Sequence, residues 1–217
     1  ELLGNLVVQK VRSRRQLLAA TILVSGVTSA IAINDIVCLL FTPVVLLICA
    51  RSRCNPLPHL LGVAMASNIG SAATLLGNPQ NILVGGLSGL SFTSYFLTAA
   101  PVAVLGLVFT YAVIAFFHRG ELEGEWTPAA DIAGAVIHPY LIWKSLFVLG
   151  AILVAYIAGI ELAMASVCGA TALLVTRRVK PNKVYVSIDF NLLVIFIGLF
   201  VIVAGVEKSR MMEYVLQ

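Results

Sequence analysis

The chain has 217 residues, 60% of them hydrophobic and 11% charged, with a mean hydropathy of +1.01. A soluble domain of this length cannot hide so much apolar surface, so the bilayer is its main solvent. The net charge of +4 lies in short basic clusters between apolar segments, the pattern expected of cytoplasmic loops. No basic stripe with interleaved aromatics occurs, so nucleic acid is not an expected partner.

The opening ELLGNLVVQKVRSRR carries scattered charges and no continuous apolar run, so no signal peptide is readable. It has no initiator Met, and the sequence stops just after an apolar segment. We therefore expect a fragment, with the remainder of the same polypeptide as a partner. Cys38, Cys49, Cys54 and Cys168 show neither CxxC nor paired His spacing, so structural zinc and a disulfide framework are not expected.

The first repeat-like block, residues 1–119, begins with a mostly apolar segment over 16–50, bounded by Arg14 and Arg15 and by Arg51 and Arg53. As one helix its 35 residues would span about 52 Å, against a hydrocarbon core of about 30 Å. Two full crossings need roughly 40 residues plus a turn. A re-entrant hairpin that turns near SAIAIND, residues 29–35, and returns to its starting side fits both the length and the basic ends. Pro43 is a candidate kink in its second arm.

No charged residue then appears until Arg119. Residues 60–90 read as one crossing interrupted by SNIGSAATLLGNPQN (67–81), and residues 92–117 as a second crossing. Residues 120–137 form a hydrophilic cytoplasmic linker with Pro128. The block 138–217 holds crossings at 138–158, 162–176 and 190–206, with the basic loop RRVKPNK between the last two. A hairpin followed by five crossings puts the two ends on opposite faces, as an inverted-topology repeat does. The membrane is expected to be the inner or plasma membrane, with Arg14, Arg15, Arg51, Arg53, Arg119, Arg177 and Arg178 on its cytoplasmic side.

In hydrocarbon, irregular backbone survives only where it faces protein or a water-filled cavity. Gly70, Gly77 and Pro79 break the helix at membrane depth, amid Ser67, Asn68, Ser71, Thr74, Asn78, Gln80 and Asn81. The stretch reads as two half-helices joined by an unwound loop. Half-helix N-termini favour an anion, while freed carbonyls and amide or hydroxyl oxygens can coordinate a cation. A Gly-rich crossing built only for tight packing is the alternative, and it is the reading preferred for Gly85 and Gly89.

At the hairpin turn, Asn34 and Asp35 lie between Ile33 and Ile36, and Asp35 is the only carboxylate in residues 16–50. It reads as a proton carrier, a cation ligand or a cap for the second arm. Asn34, Asp35 and Asn68 are candidate sodium ligands. Glu161 reads as outer surface, Asp189 and Glu207 as the ends of the last crossing, and His59 and His138 as interfacial. No P-loop, Ser-His-Asp set or catalytic carboxylate pair is present, so neither an enzyme nor a nucleotide-driven motor is expected, and no cofactor beyond a coupling sodium ion or proton.

Three segments carry a family resemblance: AINDIVCLLFTPVVL (32–46), SNIGSAATLLGNPQNILVG (67–85) and DFNLLVIFIGLFVIVAGVEKS (189–209). The chain resembles the ion transporter superfamily, in its arsenite-permease and sodium/proton-antiporter-like branch of anion permeases, related to divalent anion/sodium symporters. The resemblance implies an all-α polytopic membrane protein with an inverted-repeat secondary-transporter fold, each repeat holding a re-entrant hairpin and a broken helix. It implies a homodimeric scaffold and a small-anion site lined by Asn34, Asp35, Ser67, Asn68, Thr74, Gly77, Asn78 and Asn81. Many relatives have Asp where Asn78 stands, which weakens the case for sodium/proton exchange. The expected function is secondary transport of a small anion or oxyacid of arsenite, sulfate or dicarboxylate type. The alternatives are a sodium/proton antiporter, or a channel or scaffold subunit.

Overall fold

The computed structural model describes residues 11–124, 139–175 and 190–208. Among them every regular element is helical. The expectations for Arg177, Arg178, His138, Asp189, the basic loop 177–183 and linker residues 125–137 lie outside the described residues.

Helix α1 (Arg14–Ile31) starts where Ser13 accepts a hydrogen bond from the Gln16 N–H at 3.2 Å, satisfying one of the donors a helix start leaves free. It ends at Ile31, and α2 (Asn34–Arg51) begins after only residues 32 and 33. Each arm has 18 residues and is therefore about 27 Å long. Arg14 Nη2 donates to the Arg53 carbonyl at 3.4 Å, so the start of α1 and the end of α2 meet and the arms run antiparallel. Pro43 lies inside α2, whose helical assignment continues through it.

After α2 the chain turns at Arg53 (φ 48°), the one non-glycine described residue with positive φ. The Asn55 side chain accepts from the Leu57 N–H at 3.0 Å and opens α3 (Leu57–Ser71). The segment expected to be a broken helix over 60–90 divides into α3 and α4 (Pro79–Ser88), separated by residues 72–78. Gly89, at φ 66°, closes α4 as a left-handed cap; a Cβ there would meet nothing within 4 Å, so its role is conformational rather than packing. Gly85 does pack, against Leu75.

Helix α5 (Phe92–Phe117) has 26 residues and is capped by Ser91; α6 is a single turn (Arg119–Leu122). Then follow α7 (Pro139–Ile157), α8 (Leu162–Val175) and α9 (Phe190–Lys208). Among the described helices, α2 and α5 are long and apolar enough to cross a membrane.

The packed heart of the molecule is α1 against α3, with α2 and α5 on either side. Leu18 and Ile22 meet Gly62, and farther along Gly26 meets Gly70, so the two helices run parallel. At Gly70 a Cβ would overlap the Gly26 backbone. Such contacts matter because lipid tails are as apolar as leucine: helices in a bilayer associate through close van der Waals packing, which small residues permit. Leu17, Val45, Ile48, Cys49 and Val63 fill one side of this heart, and Leu18, Ile22, Ala66 and Ile114 the other.

Charged groups gather at one end. Arg14 Nη1 donates to the Glu121 carbonyl at 2.9 Å, Asn55 to the Glu121 carboxylate at 2.6 Å, and Arg15 pairs with Glu123. The starts of α1 and α3 thus sit beside the end of α5 and α6.

Candidate functional site

At the other end two interruptions of helix face each other. The Asn34 N–H, opening α2, donates to the Gly77 carbonyl at 3.1 Å. Thr74 Oγ1 donates to the Ala30 carbonyl in the last turn of α1. The hairpin turn is therefore bonded directly to the unwound loop, and the N-termini of α2 and α4 lie close together.

Much of the polar sequence of 67–81 holds that loop in shape. Asn78 caps α4 by accepting from the Asn81 N–H at 2.7 Å, and Pro79 follows at the first helical position, where its missing N–H costs nothing. Asn81 Nδ2 donates to the carbonyls of Thr74 (2.8 Å) and Ser71 (3.3 Å), two groups the broken helix would otherwise leave open. Asn78 Nδ2 donates to Ser71 Oγ at 3.2 Å, and Ser71 Oγ donates back to the Asn68 carbonyl at 2.7 Å. Thr74 Oγ1 also accepts from the Leu76 N–H at 3.1 Å. A Cβ at Gly77 would overlap the backbone of Ser71, so the loop folds this tightly only with glycine there.

Ser67 is buried where the hairpin arms cross α3: Ser29 Oγ donates to its carbonyl at 2.6 Å, and Cys38 Sγ lies 2.9 Å from its hydroxyl. Asn34, Ser67, Gly70, Thr74 and Gly77 thus belong to the contact between α1, α2, α3 and the loop; Asn78 and Asn81 brace the loop, and Asp35 follows Asn34 in the first turn of α2. Asn68 differs. Its side chain is exposed, one helical step away from the buried Ser67, because neighbouring residues on a helix point about 100° apart.

Some groups are left over. Asn34 Oδ1 and Ser25 Oγ are buried and have no hydrogen-bond partner among the described residues. The Asp35 carboxylate, half-buried, makes no hydrogen bond or ion pair among the described residues, and the backbone N–H groups of Asp35, Ile36 and Gln80 are likewise unused there. A buried carbonyl oxygen without a donor is costly, and such an oxygen beside a carboxylate is suited to a cation. Free N–H groups at two helix N-termini are suited to an anion.

A family model described as citrate transporter (CitMHS) matches residues 1–217. The chain belongs to the citrate transporter family. The match supports the ion transporter superfamily resemblance read from the three motifs, and the family is one of membrane transporters, not of enzymes. A 46 kDa membrane protein of Mycobacterium leprae is 31% identical over 203 residues, covering 89% of this chain and 47% of its own. The inner membrane protein YbiR of Escherichia coli is 30% identical over 212 residues, covering 93% and 52%. The silicon efflux transporter LSI3 of rice is 31% identical over 131 residues, covering 60% and 27%. The chain spans about half the length of the first of these relatives.

Sequence reasoning missed a second cluster at the basic end. Cys49, Cys54 and His59 come together there, and His59, expected near the membrane interface, is buried within the protein. Cys54, in the turn between α2 and α3, has its thiol held below the usual range, first by a hydrogen bond from Cys49 and further by His59 and the Arg14 charge, against the opposing effect of burial.

Proposed function

We propose that the complete polypeptide is a secondary active transporter for a small anion or oxyacid, bound where the α2 and α4 N-termini meet. The observation that carries this is the hydrogen bond from Asn34 to Gly77, which puts two helix starts with unused N–H groups side by side. Their dipoles favour negative charge without any basic side chain. The family description favours a carboxylate such as citrate as the first substrate to try, and sulfate and arsenite are the other oxygen-rich candidates.

Substrate would move with the hairpin and broken helix as a unit against a scaffold, in an elevator-like step, with coupling to sodium or protons through Asp35 and Asn34. The remaining half of the site would come from the rest of the polypeptide in an inverted repeat, and the scaffold would dimerise. Gathering Arg14, Arg15 and Arg53 at one end supports placing that end in the cytoplasm.

A second reading, sodium/proton exchange, is favoured by Asp35, which has no ion-pair partner among the described residues, next in sequence to Asn34, whose Oδ1 is likewise unpartnered there. Uptake by the complete polypeptide in proteoliposomes separates the two. Saturable uptake of citrate, sulfate or arsenite driven by a sodium or proton gradient supports anion transport. Sodium/proton exchange without anion movement replaces it with the second reading, and non-saturable flux points to a channel. If Asp35 carries the coupling proton, Asp35→Asn abolishes pH-dependent uptake; unchanged pH dependence in that variant rules out the role.

A further inference from the structure

The cluster of Cys49, Cys54 and His59 plays no part in the transport site, which lies at the far end of α2, about 22 Å away along the helix from Asn34 to Cys49. Three elements supply it: the last turn of α2, the connecting turn, and the first turn of α3. The spacing is Cys-x4-Cys-x4-His. The left-handed residue Arg53 reverses the chain, and the Cys54 N–H donates to the Cys49 carbonyl at 3.0 Å, drawing the two thiols to the same side.

Two sulfurs and an imidazole nitrogen lie within 4.8 Å of one another. Tetrahedral zinc with bonds of about 2.3 Å to sulfur separates its ligand atoms by about 3.8 Å, so the three need to close by about 1 Å at most. All three residues are buried, with relative exposures of 1% for Cys49, 9% for Cys54 and 1% for His59. Moreover, His59 Nδ1 is enclosed with no hydrogen-bond partner among the described residues. A buried imidazole nitrogen without a partner is unusual, and a metal ion would satisfy the histidine.

We propose that Cys49, Cys54 and His59 form a site for a thiophilic divalent cation of the zinc class. Two thiolates balance the charge of the ion, which offsets the cost of placing a cation near Arg14. The third ligand is neutral imidazole, and the fourth position is left for water. The ion fastens the end of the hairpin to the start of the broken helix, so that the two move together. Any proton the two sulfurs still carry is released to solvent on binding, with no change of oxidation state.

The test uses the complete polypeptide, purified in detergent under reducing conditions and titrated with cobalt(II). The expected result is a tetrahedral cobalt spectrum with a thiolate charge-transfer band, displaced by zinc. Cys168→Ser, on the exposed face of α8, keeps it. Cys54→Ser weakens metal binding by at least the about 10–100-fold that loss of a mere supporting group costs at such sites. X-ray absorption on the zinc-loaded wild type avoids any dependence on variant folding, and should show two sulfurs at about 2.3 Å and nitrogen at about 2.0–2.1 Å. Absence of the cobalt band in the reduced wild type, a zinc shell without sulfur, or a Cys49–Cys54 disulfide in protein isolated from cells would each overturn the proposal.

Discussion

The α1–α3 region and the helices from α5 onward are both strongly apolar, yet they use that character in opposite ways. In α1 and α3, glycine and serine line the contact, the backbones touch at Gly26 and Gly70, and Leu17, Leu18 and Val63 are almost wholly enclosed. Along α5, α7, α8 and α9 the large side chains face outward, among them Leu105, Phe109, Phe147 and Val201. The difference shows where polar backbone can be tolerated. The unwound loop is enclosed by protein over residues 73–77, in keeping with lipid offering no hydrogen bonds. The outward-facing helices suit contact with lipid or with the rest of the polypeptide.

Substitutions can break or sharpen that contrast. The largest effect is expected at Gly70, where any side chain meets the Gly26 backbone. Gly70→Val should destabilise the protein by about 3 kcal/mol or more, read as a lost or lowered melting transition in detergent. A wild-type melting curve would mean that α1 and α3 do not touch as described. Next comes Asn81→Ala, which leaves the Ser71 and Thr74 carbonyls without their side-chain donor. It should cost about 1–3 kcal/mol and reduce uptake at least about tenfold, since the loop shapes the site. Smallest is Leu105→Ala on α5, 70% exposed, which should stay within about 0.5 kcal/mol of wild type. A large loss there would show that α5 is covered by a partner surface.

Both helix breaks are legible in the sequence. Gly77 and Pro79 bound the unwound loop as their residue types suggest, whereas Gly70, also expected to break the helix, stays within α3 and packs on Gly26; Asp35 in an otherwise uncharged segment marks the hairpin turn. That the two breaks touch is not legible, because the Asn34–Gly77 bond depends on how α1 and α3 pack. The work of the polar side chains was also hidden: Asn78 and Asn81 use their hydrogen bonds on the loop itself, Thr74 ties the loop to the end of α1, and Asn68 is exposed. Cys49, Cys54 and His59 escaped notice for a similar reason. Their spacing matches no compact metal motif, and only the reversal at Arg53 unites a helix end, a turn and a helix start.

The most direct test of a substrate site shared by the two breaks is hydrogen exchange on the complete polypeptide, with and without the transported anion. Peptides covering residues 32–38 and 72–82 should slow together, half-maximally at the same anion concentration, while the middle of α5 is unchanged. Protection of one break alone, or of neither at saturating anion, would contradict the shared site.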